Sequence, residues 1–168
     1  MIDWENITYF TPSEFPEDPD KHASFGVILG LNAFRARYGK PVYPSKALGA
    51  LARFDGSKTS QHYSINRKST AVDFFCEGTA IEAFIMLLNS RVFTGIGIYL
   101  DTNGNDGMPW VMFHGDTRRA HAAIPKIWIV ERIEGKDYYR YPQRISQYWK
   151  LLSDQRMYEY RQLIVDHK

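Results

Sequence analysis

Residues 95–114, GIGIYLDTNGNDGMPWVMFH, have the pattern of two β-strands joined by a turn. Runs rich in Ile, Tyr, Val and Phe flank a connection of Asp, Asn and Gly, which is the composition of a β-hairpin. The two strands of a hairpin pair antiparallel, whereas the sheets of α/β proteins are mostly parallel. The stretch therefore predicts an α+β fold with a central antiparallel sheet.

Upstream of this hairpin, the sequence predicts two helices and one further strand. Apolar residues recur at helical spacing from Lys21 to Tyr38, and Gly39 predicts the end of that helix. TAVDFF at residues 70–75 has the composition of a buried strand, and the amphipathic segment 78–91 predicts the second helix. Both helices are expected to pack on the sheet.

Downstream, the sequence predicts a second hairpin and a terminal helix. The hairpin consists of KIWIVERI and DYYRY on either side of EGK, within residues 126–141. Apolar residues at helical spacing predict a helix over residues 145–165. We expect both hairpins and TAVDFF to join one antiparallel sheet, followed by a C-terminal helical extension.

The composition is that of a globular chain with one core. The 168 residues are 44% hydrophobic and 15% aromatic, enough for one domain with a possible appendage. The 21 basic and 19 acidic residues are interspersed and leave a net charge of +2. A nucleic-acid partner is disfavoured, because such partners usually need a basic stripe.

Cysteine usage and the N-terminus bear on location. The single cysteine, Cys76, excludes an internal disulfide and a thiolate zinc cluster, since each needs at least two cysteines. The sequence has neither the pattern of a signal peptide nor an apolar run long enough to span a membrane. We therefore expect synthesis in the cytoplasm.

The carboxylate of Asp73 stands inside the hydrophobic strand AVDFF. An isolated buried carboxylate is costly unless another group compensates its charge. One alternative is a salt bridge or a hydrogen bond from a backbone N–H. The other is a metal ion shared with His62, which precedes Asp73 by eleven residues.

The second hairpin strand continues into a polar segment, HGDTRRAH. Alternate side chains of a strand share a face, so His114 and Asp116 are expected to point the same way. A lone histidine on a strand is often only a hydrogen-bonded structural residue. Two imidazoles and one carboxylate, however, form the ligand set of catalytic zinc, with a fourth position open for water.

The order of these motifs resembles that of the zinc DD-peptidases, the family of D-alanyl-D-alanine carboxypeptidases and phage endolysins. Members of that family cleave the stem peptides of peptidoglycan. The similarity covers residues from about 8 to 130 and predicts a zinc DD-peptidase-like domain over 1–130, with 131–168 as an extension. The motifs, in chain order, are YFTPSEF, LNAFRARYGKPV, SQH followed by AVDFF, and GIGIYL followed by WVMFHGDTR.

The resemblance implies roles for individual residues. It implies that His62, Asp73 and His114 bind zinc. It also implies substrate contacts from Ser60, in the Ser-x-His motif, and from Arg118, in the His-x-Asp-x-Arg motif.

Three features depart from the family pattern. The interval between the first histidine and the aspartate is longer here and lacks the usual glycine. Val111 occupies the position where several members have a glutamate as general base, and a valine cannot take a proton. The arginine that holds a substrate carboxylate has no aligned counterpart, so Arg53 or Lys46 is the candidate for that role.

The missing glutamate leaves the general base open. Asp116 shares the strand face of His114, so it either takes the proton through one water or orients an imidazole ring from behind. Asp106 and His121 are weaker candidates for the base.

Two functions remain at this level. The first is a zinc peptidase that acts on the cell wall after release from the cell, as an endolysin or DD-carboxypeptidase does. The alternative is a weakly active or inactive virion protein that keeps the peptidase fold. Residues 131–168 are unusually aromatic, which suits docking on other virion or tail proteins.

Overall fold

A six-stranded mixed sheet forms the centre of the fold, so the predicted α+β class is confirmed. The computed structural model describes residues 1–118, 125–144, 146–148 and 152. The strand order across the sheet is β1-β2-β4-β3-β5-β6. The strands are β1 (Val42–Pro44), β2 (Ala71–Cys76), β3 (Gly95–Asn103), β4 (Pro109–Asp116), β5 (Lys126–Ile133) and β6 (Lys136–Arg140).

The prediction of a purely antiparallel sheet is wrong for one pair of strands, because β3 and β5 run parallel. The last residue of β4, Asp116, lies opposite Gly95 at the start of β3, and the first residue of β5, Lys126, lies on the other side of Gly95. β4 therefore ends and β5 begins at the same end of the sheet, on either side of the first residue of β3. Hairpin patterns determine the direction of strands within each pair, but not between two pairs.

Three α-helices of the described residues precede or separate the strands: α1 (Pro19–His22), α2 (Phe25–Tyr38) and α3 (Ala80–Ser90). The single helix predicted from Lys21 to Tyr38 is thus divided, because Ser24 caps a new helix with its side chain, which accepts a hydrogen bond from the Val27 N–H. Gly39 ends α2 in the left-handed conformation, with φ 70°, as predicted.

The hydrophobic core lies between the helices and one face of the sheet. Strand residues Val72, Phe74 and Phe113 belong to it, and helix α2 contributes Leu31 and Phe34. Because side chains alternate along a strand, the neighbours of these strand residues project from the opposite face.

On that opposite face, four residues from four strands stand in one row. Asp73 pairs with His114, His114 with Gly97, and Gly97 with Trp128. The row therefore joins β2, the first hairpin and β5, which are far apart in the sequence.

The predicted boundary after residue 130 falls inside β5, and β6 extends the same sheet. Beyond β6, the buried Tyr148 packs against Phe84 of α3, with ring centroids 5.4 Å apart. Residues 146–148 are helical, but most of the terminal helix predicted over 145–165 lies outside the described residues. Within the described part of the chain, no helix has the length and apolar character needed to cross a membrane.

Candidate metal centre

The loop between β1 and β2 carries His62 to the sheet. The backbone of His62 is held by its carbonyl, which accepts a hydrogen bond from the Arg53 N–H at 2.7 Å. The next residue but one, Ser64, donates its N–H to the Arg53 carbonyl at 2.8 Å. The longer interval before Asp73 is closed by a turn in which the Ser64 hydroxyl donates to the Arg67 carbonyl at 3.0 Å.

Three side chains converge on the face of the sheet opposite to the core, which we call the site face. Oδ1 of Asp73 lies 3.2 Å from Nε2 of His62 and 2.9 Å from Nδ1 of His114. The two ring nitrogens lie 3.0 Å apart. The residues are buried, with exposed fractions of 4% for His62, 4% for Asp73 and 5% for His114. Of the residues that the structure describes, these three form the one group able to hold a metal ion.

Each imidazole has one inner nitrogen, which faces Asp73, and one outer nitrogen, which points away from it. The partners of the outer nitrogens indicate where the ring hydrogens lie. Nδ1 of His62 faces the carbonyl oxygen of Leu51 at 3.4 Å, and Nε2 of His114 faces Oδ2 of Asp116 at 3.2 Å. A carbonyl and a carboxylate can only accept hydrogen bonds, so the pair of neutral tautomers that satisfies both contacts has hydrogen on both outer nitrogens.

The inner nitrogens of neutral rings are then left with lone pairs. In that neutral state, the two lone pairs and the Asp73 carboxylate would converge on one point with no hydrogen between them. Such a cluster requires a cation, which is either a proton taken up by a ring or a metal ion. The arrangement therefore fits a metal ion held by His62, Asp73 and His114.

The electrostatics of the cluster agree with this need for positive charge. Burial alone would raise the pKa of Asp73, but the charge of His62 and hydrogen bonds from His114 and His62 outweigh it and hold the pKa below its usual range. Burial likewise disfavours a charged His114, but hydrogen bonds to Asp116 and Asp73 raise its pKa above the usual value. Both shifts follow from the attraction between the carboxylates and a positively charged ring.

Asp116 lies on the outer side of His114 and is fully buried. Nε of Arg118 donates to Oδ1 and Oδ2 of Asp116, at 3.0 and 2.9 Å. Burial opposes ionisation of Asp116, but hydrogen bonds from His114 and Arg118 hold its pKa below the usual range. The carboxylate is therefore ionised and occupied on both oxygens.

Two glycines of β3 make room on the site face. A Cβ atom at Gly95 would collide with the Asp116 carboxylate, and one at Gly97 would lie 2.7 Å from Cε2 of Trp128. The Trp128 ring occupies the space over Gly97 and contacts His114, with ring centroids 5.2 Å apart. The guanidinium of Arg118 lies over the same indole, 5.6 Å from its centroid.

The substrate-binding residues expected from the sequence lie at different distances from this cluster. Arg118 adjoins it through Asp116, and its side chain is 30% exposed. Ser60 supports the loop, because its hydroxyl accepts a hydrogen bond from the His62 N–H at 3.3 Å. Arg53 directs its Nε to the Gly49 carbonyl at 3.2 Å, and Lys46 directs its Nζ to the Ser13 carbonyl at 3.0 Å.

The weaker candidates for a general base are not brought to the cluster in the described part of the chain. Asp106 lies at the tip of the first hairpin, where its Oδ1 accepts a hydrogen bond from Nε1 of Trp110 at 3.0 Å. Val111 packs against the hydrophobic core, on the opposite face from His114. His121 lies outside the described residues.

Sequence reasoning missed three residues around the centre: Leu51, Tyr99 and Trp128. Burial raises the pKa of Tyr99, and the charge of Asp73 adds to the effect. A signal for Trp128 was present in Gly95 and Gly97, because glycines at alternate positions of a strand indicate that bulky groups approach one face.

No protein-family model, curated protein or solved structure matches the chain. The similarity to zinc DD-peptidases therefore depends on the sequence motifs alone. The capacity to hold a metal ion depends on the geometry of His62, Asp73 and His114.

Proposed function

We propose that the protein is a zinc-dependent peptidase that cleaves the stem peptides of peptidoglycan, as an endolysin or a DD-carboxypeptidase does. The observation that carries the proposal is the convergence of one ring nitrogen each of His62 and His114 on a carboxylate oxygen of Asp73. The class of substrate comes from the order of the sequence motifs.

The distances between the three ligand atoms support zinc. Zinc bonds of about 2.0–2.1 Å in a tetrahedron place neighbouring ligand atoms about 3.3 Å apart. The three separations here are 2.9, 3.0 and 3.2 Å, so small side-chain movements would accommodate the ion. Two imidazoles and one carboxylate are also the number and type of ligands found in catalytic sites.

Zinc in this position would supply Lewis acidity, polarising a peptide carbonyl and lowering the pKa of a water molecule to about 7. The chain's own residues prepare the centre for that role. Leu51 and Asp116 accept hydrogen bonds from the outer ring nitrogens, which keeps the inner nitrogens free of hydrogen. The Trp128 ring packs against His114 on the same face, with ring centroids 5.2 Å apart.

Asp116 fits the role of an orienting group better than that of a general base. Its carboxylate is fully buried and already receives hydrogen bonds from His114 and Arg118. A base must reach the proton of a water molecule directly or through one other water. Arg118 is the candidate for contact with a substrate carboxylate, because part of its guanidinium side chain is exposed.

The burial of Asp116 favours the second candidate function, a virion-associated protein that keeps the fold but hydrolyses peptidoglycan slowly or not at all. Val111 packs against the core and Asp116 is buried behind His114, so neither residue is placed to act as the base. In that case the aromatic segment from residue 131 would serve in docking on other virion proteins.

Elemental analysis combined with a cell-wall digestion assay tests the proposal. Purified protein should contain about one zinc per chain, and it should release new amino groups from peptidoglycan. The His114→Ala variant should do neither. Bound zinc without any release from several types of peptidoglycan would favour the virion protein, and absence of zinc in freshly purified protein would refute the zinc peptidase.

A further inference from the structure

The carboxylate of Glu17 is held by three backbone N–H groups of a distant loop. The N–H groups of Gly49, Leu51 and Ala52 donate to it at 2.5, 3.1 and 3.1 Å. Glu17 lies more than thirty residues before this loop. Hydrogen bonds to an ionised acceptor are stronger than those between neutral groups, so this contact ties the N-terminal segment firmly to the loop.

The backbone of the loop is shaped for this contact. Gly49 has φ +84°, and a Cβ atom there would lie 2.9 Å from Cγ of Arg53. A glycine is therefore needed to turn the N–H toward Glu17. Leu51 and Ala52 are buried, with exposed fractions of 0% and 1%, so their N–H groups depend on the carboxylate for a partner.

The same loop holds two of the three metal ligands through its backbone. The Leu51 carbonyl faces Nδ1 of His62 at 3.4 Å. The Ala50 carbonyl accepts a hydrogen bond from the Asp73 N–H at 2.9 Å. The loop thus orients the ring of His62 and fixes the backbone of Asp73.

We infer that Glu17 is a positioning residue of the metal centre, acting on His62 and Asp73 through the loop of residues 49–53. This inference rests on the proposed function, because it concerns the same zinc site. Glu17 is not a member of the ligand group itself. The Glu17 carboxylate binds backbone N–H groups of this loop, and carbonyl groups of the same loop hold His62 and Asp73.

Removing the negative charge should loosen the loop without removing a ligand. Glutamine at position 17 keeps the size of the side chain, but its NH₂ group would face backbone donors and its remaining oxygen is uncharged. Buried N–H groups would then lose a partner, and the Leu51 carbonyl would no longer be held against His62. Outer partners of metal ligands typically account for about 10- to 100-fold in affinity.

The variant Glu17→Gln has a matched control in Glu82→Gln. Glu82 also accepts a backbone hydrogen bond, from the Thr79 N–H at 3.2 Å, and pairs with Lys40, but it lies on α3 at the core side of the sheet. We expect Glu17→Gln to weaken zinc binding by about tenfold or more, and Glu82→Gln to change it by less than about twofold. Zinc affinity is measured by competition with a chelator.

A spectroscopic measurement separates positioning from a general loss of stability. Cobalt bound in place of zinc absorbs visible light in a pattern set by ligand geometry. Glu17→Gln should alter that spectrum, whereas Glu82→Gln should leave it unchanged even when urea unfolds the two variants equally easily. A wild-type spectrum and wild-type zinc affinity in Glu17→Gln would overturn the inference.

Amide hydrogen exchange in metal-free protein tests the inference even where wild-type protein binds no zinc and the proposed function fails. The informative amides are those of Arg53 and Asp73, which donate to the His62 and Ala50 carbonyls. Glu17→Gln should speed their exchange by about tenfold or more relative to Glu82→Gln. Unchanged exchange at both amides would show that Glu17 does not position the loop.

Discussion

Oδ2 of Asp116 lies 3.2 Å from Nε2 of His114, on the side of the ring opposite to the Nδ1 atom that faces Asp73. The two carboxylates therefore bracket one imidazole. Because Asp116 is ionised and can only accept, it keeps hydrogen on Nε2 and leaves Nδ1 free to bind a metal ion. The sequence left Asp116 open as a base or as an orienting group, and this geometry favours the second role.

Asp116→Asn should therefore weaken zinc binding by about 10- to 100-fold, because the amide no longer ensures the required tautomer of His114. Turnover of peptidoglycan should recover when zinc is in excess. The measurement is a zinc titration followed by both affinity and activity.

Asp106→Asn is the matched control, since Asp106 accepts its hydrogen bonds at the hairpin tip. It should leave zinc affinity unchanged. If Asp116→Asn instead binds zinc normally and loses about 10²- to 10⁴-fold in turnover, Asp116 is the general base and the orienting role is wrong.

Replacement of His62, Asp73 or His114 by alanine should each remove most of the bound zinc, since each supplies one of the three ligand atoms. Loss of a ligand costs more than loss of an outer partner, which itself accounts for about 10- to 100-fold. The readout is metal content after dialysis. His22→Ala is the control, because its ring packs against Phe54 outside the cluster. Full zinc content in His62→Ala would mean that the long loop does not deliver a ligand.

Gly97→Ala should destabilise the protein by about 1–3 kcal/mol, because the added methyl group would overlap the Trp128 ring. Gly26→Ala, in helix α2, should be neutral or stabilise the protein by up to about 1 kcal/mol, because no atom lies within 4 Å of the added group. Urea unfolding of the metal-free variants measures both changes. Equal stability of the two variants would show that the indole does not rest on Gly97.

Stability of the metal-free protein should be greatest in mildly acidic solution. The lowered pKa values of Asp73 and Asp116 contribute stability above the unfolded value of about 3.9, which is lost as the pH falls through the folded values. The raised pKa of His114 contributes stability below about pH 6.5, which is lost as the pH rises through the folded value.

When zinc is bound, stability should no longer fall as the pH rises to neutral, because a proton and the metal compete for the same ring nitrogen. The gain in stability on adding zinc should therefore increase from about pH 5 to about pH 8. Urea unfolding with and without zinc measures it, and His114→Gln should remove the pH dependence in this range. A gain that is constant with pH would contradict the assignment of His114 as a ligand.

Much of the fold follows from local patterns. The hairpin of residues 95–114, the strand around Asp73 and the second helix are each specified by periodicity, turn residues and caps, which act over a few positions. The parallel pairing of β3 and β5 is not such a property, because it joins strands of two different hairpins, and local patterns do not determine how two hairpins are arranged.

The sequence by itself determined that the protein is α+β and which side chains are suited to bind a metal, since residue types and spacings along strands are local. Only the tertiary structure placed Asp116 behind His114, the Trp128 ring over Gly97 and the Glu17 carboxylate against the loop of residues 49–53. Each of these contacts joins segments far apart in the chain or depends on the rotation of a ring. Such contacts arise from packing, where strand order, available space and unpaired hydrogen-bond donors select the partner.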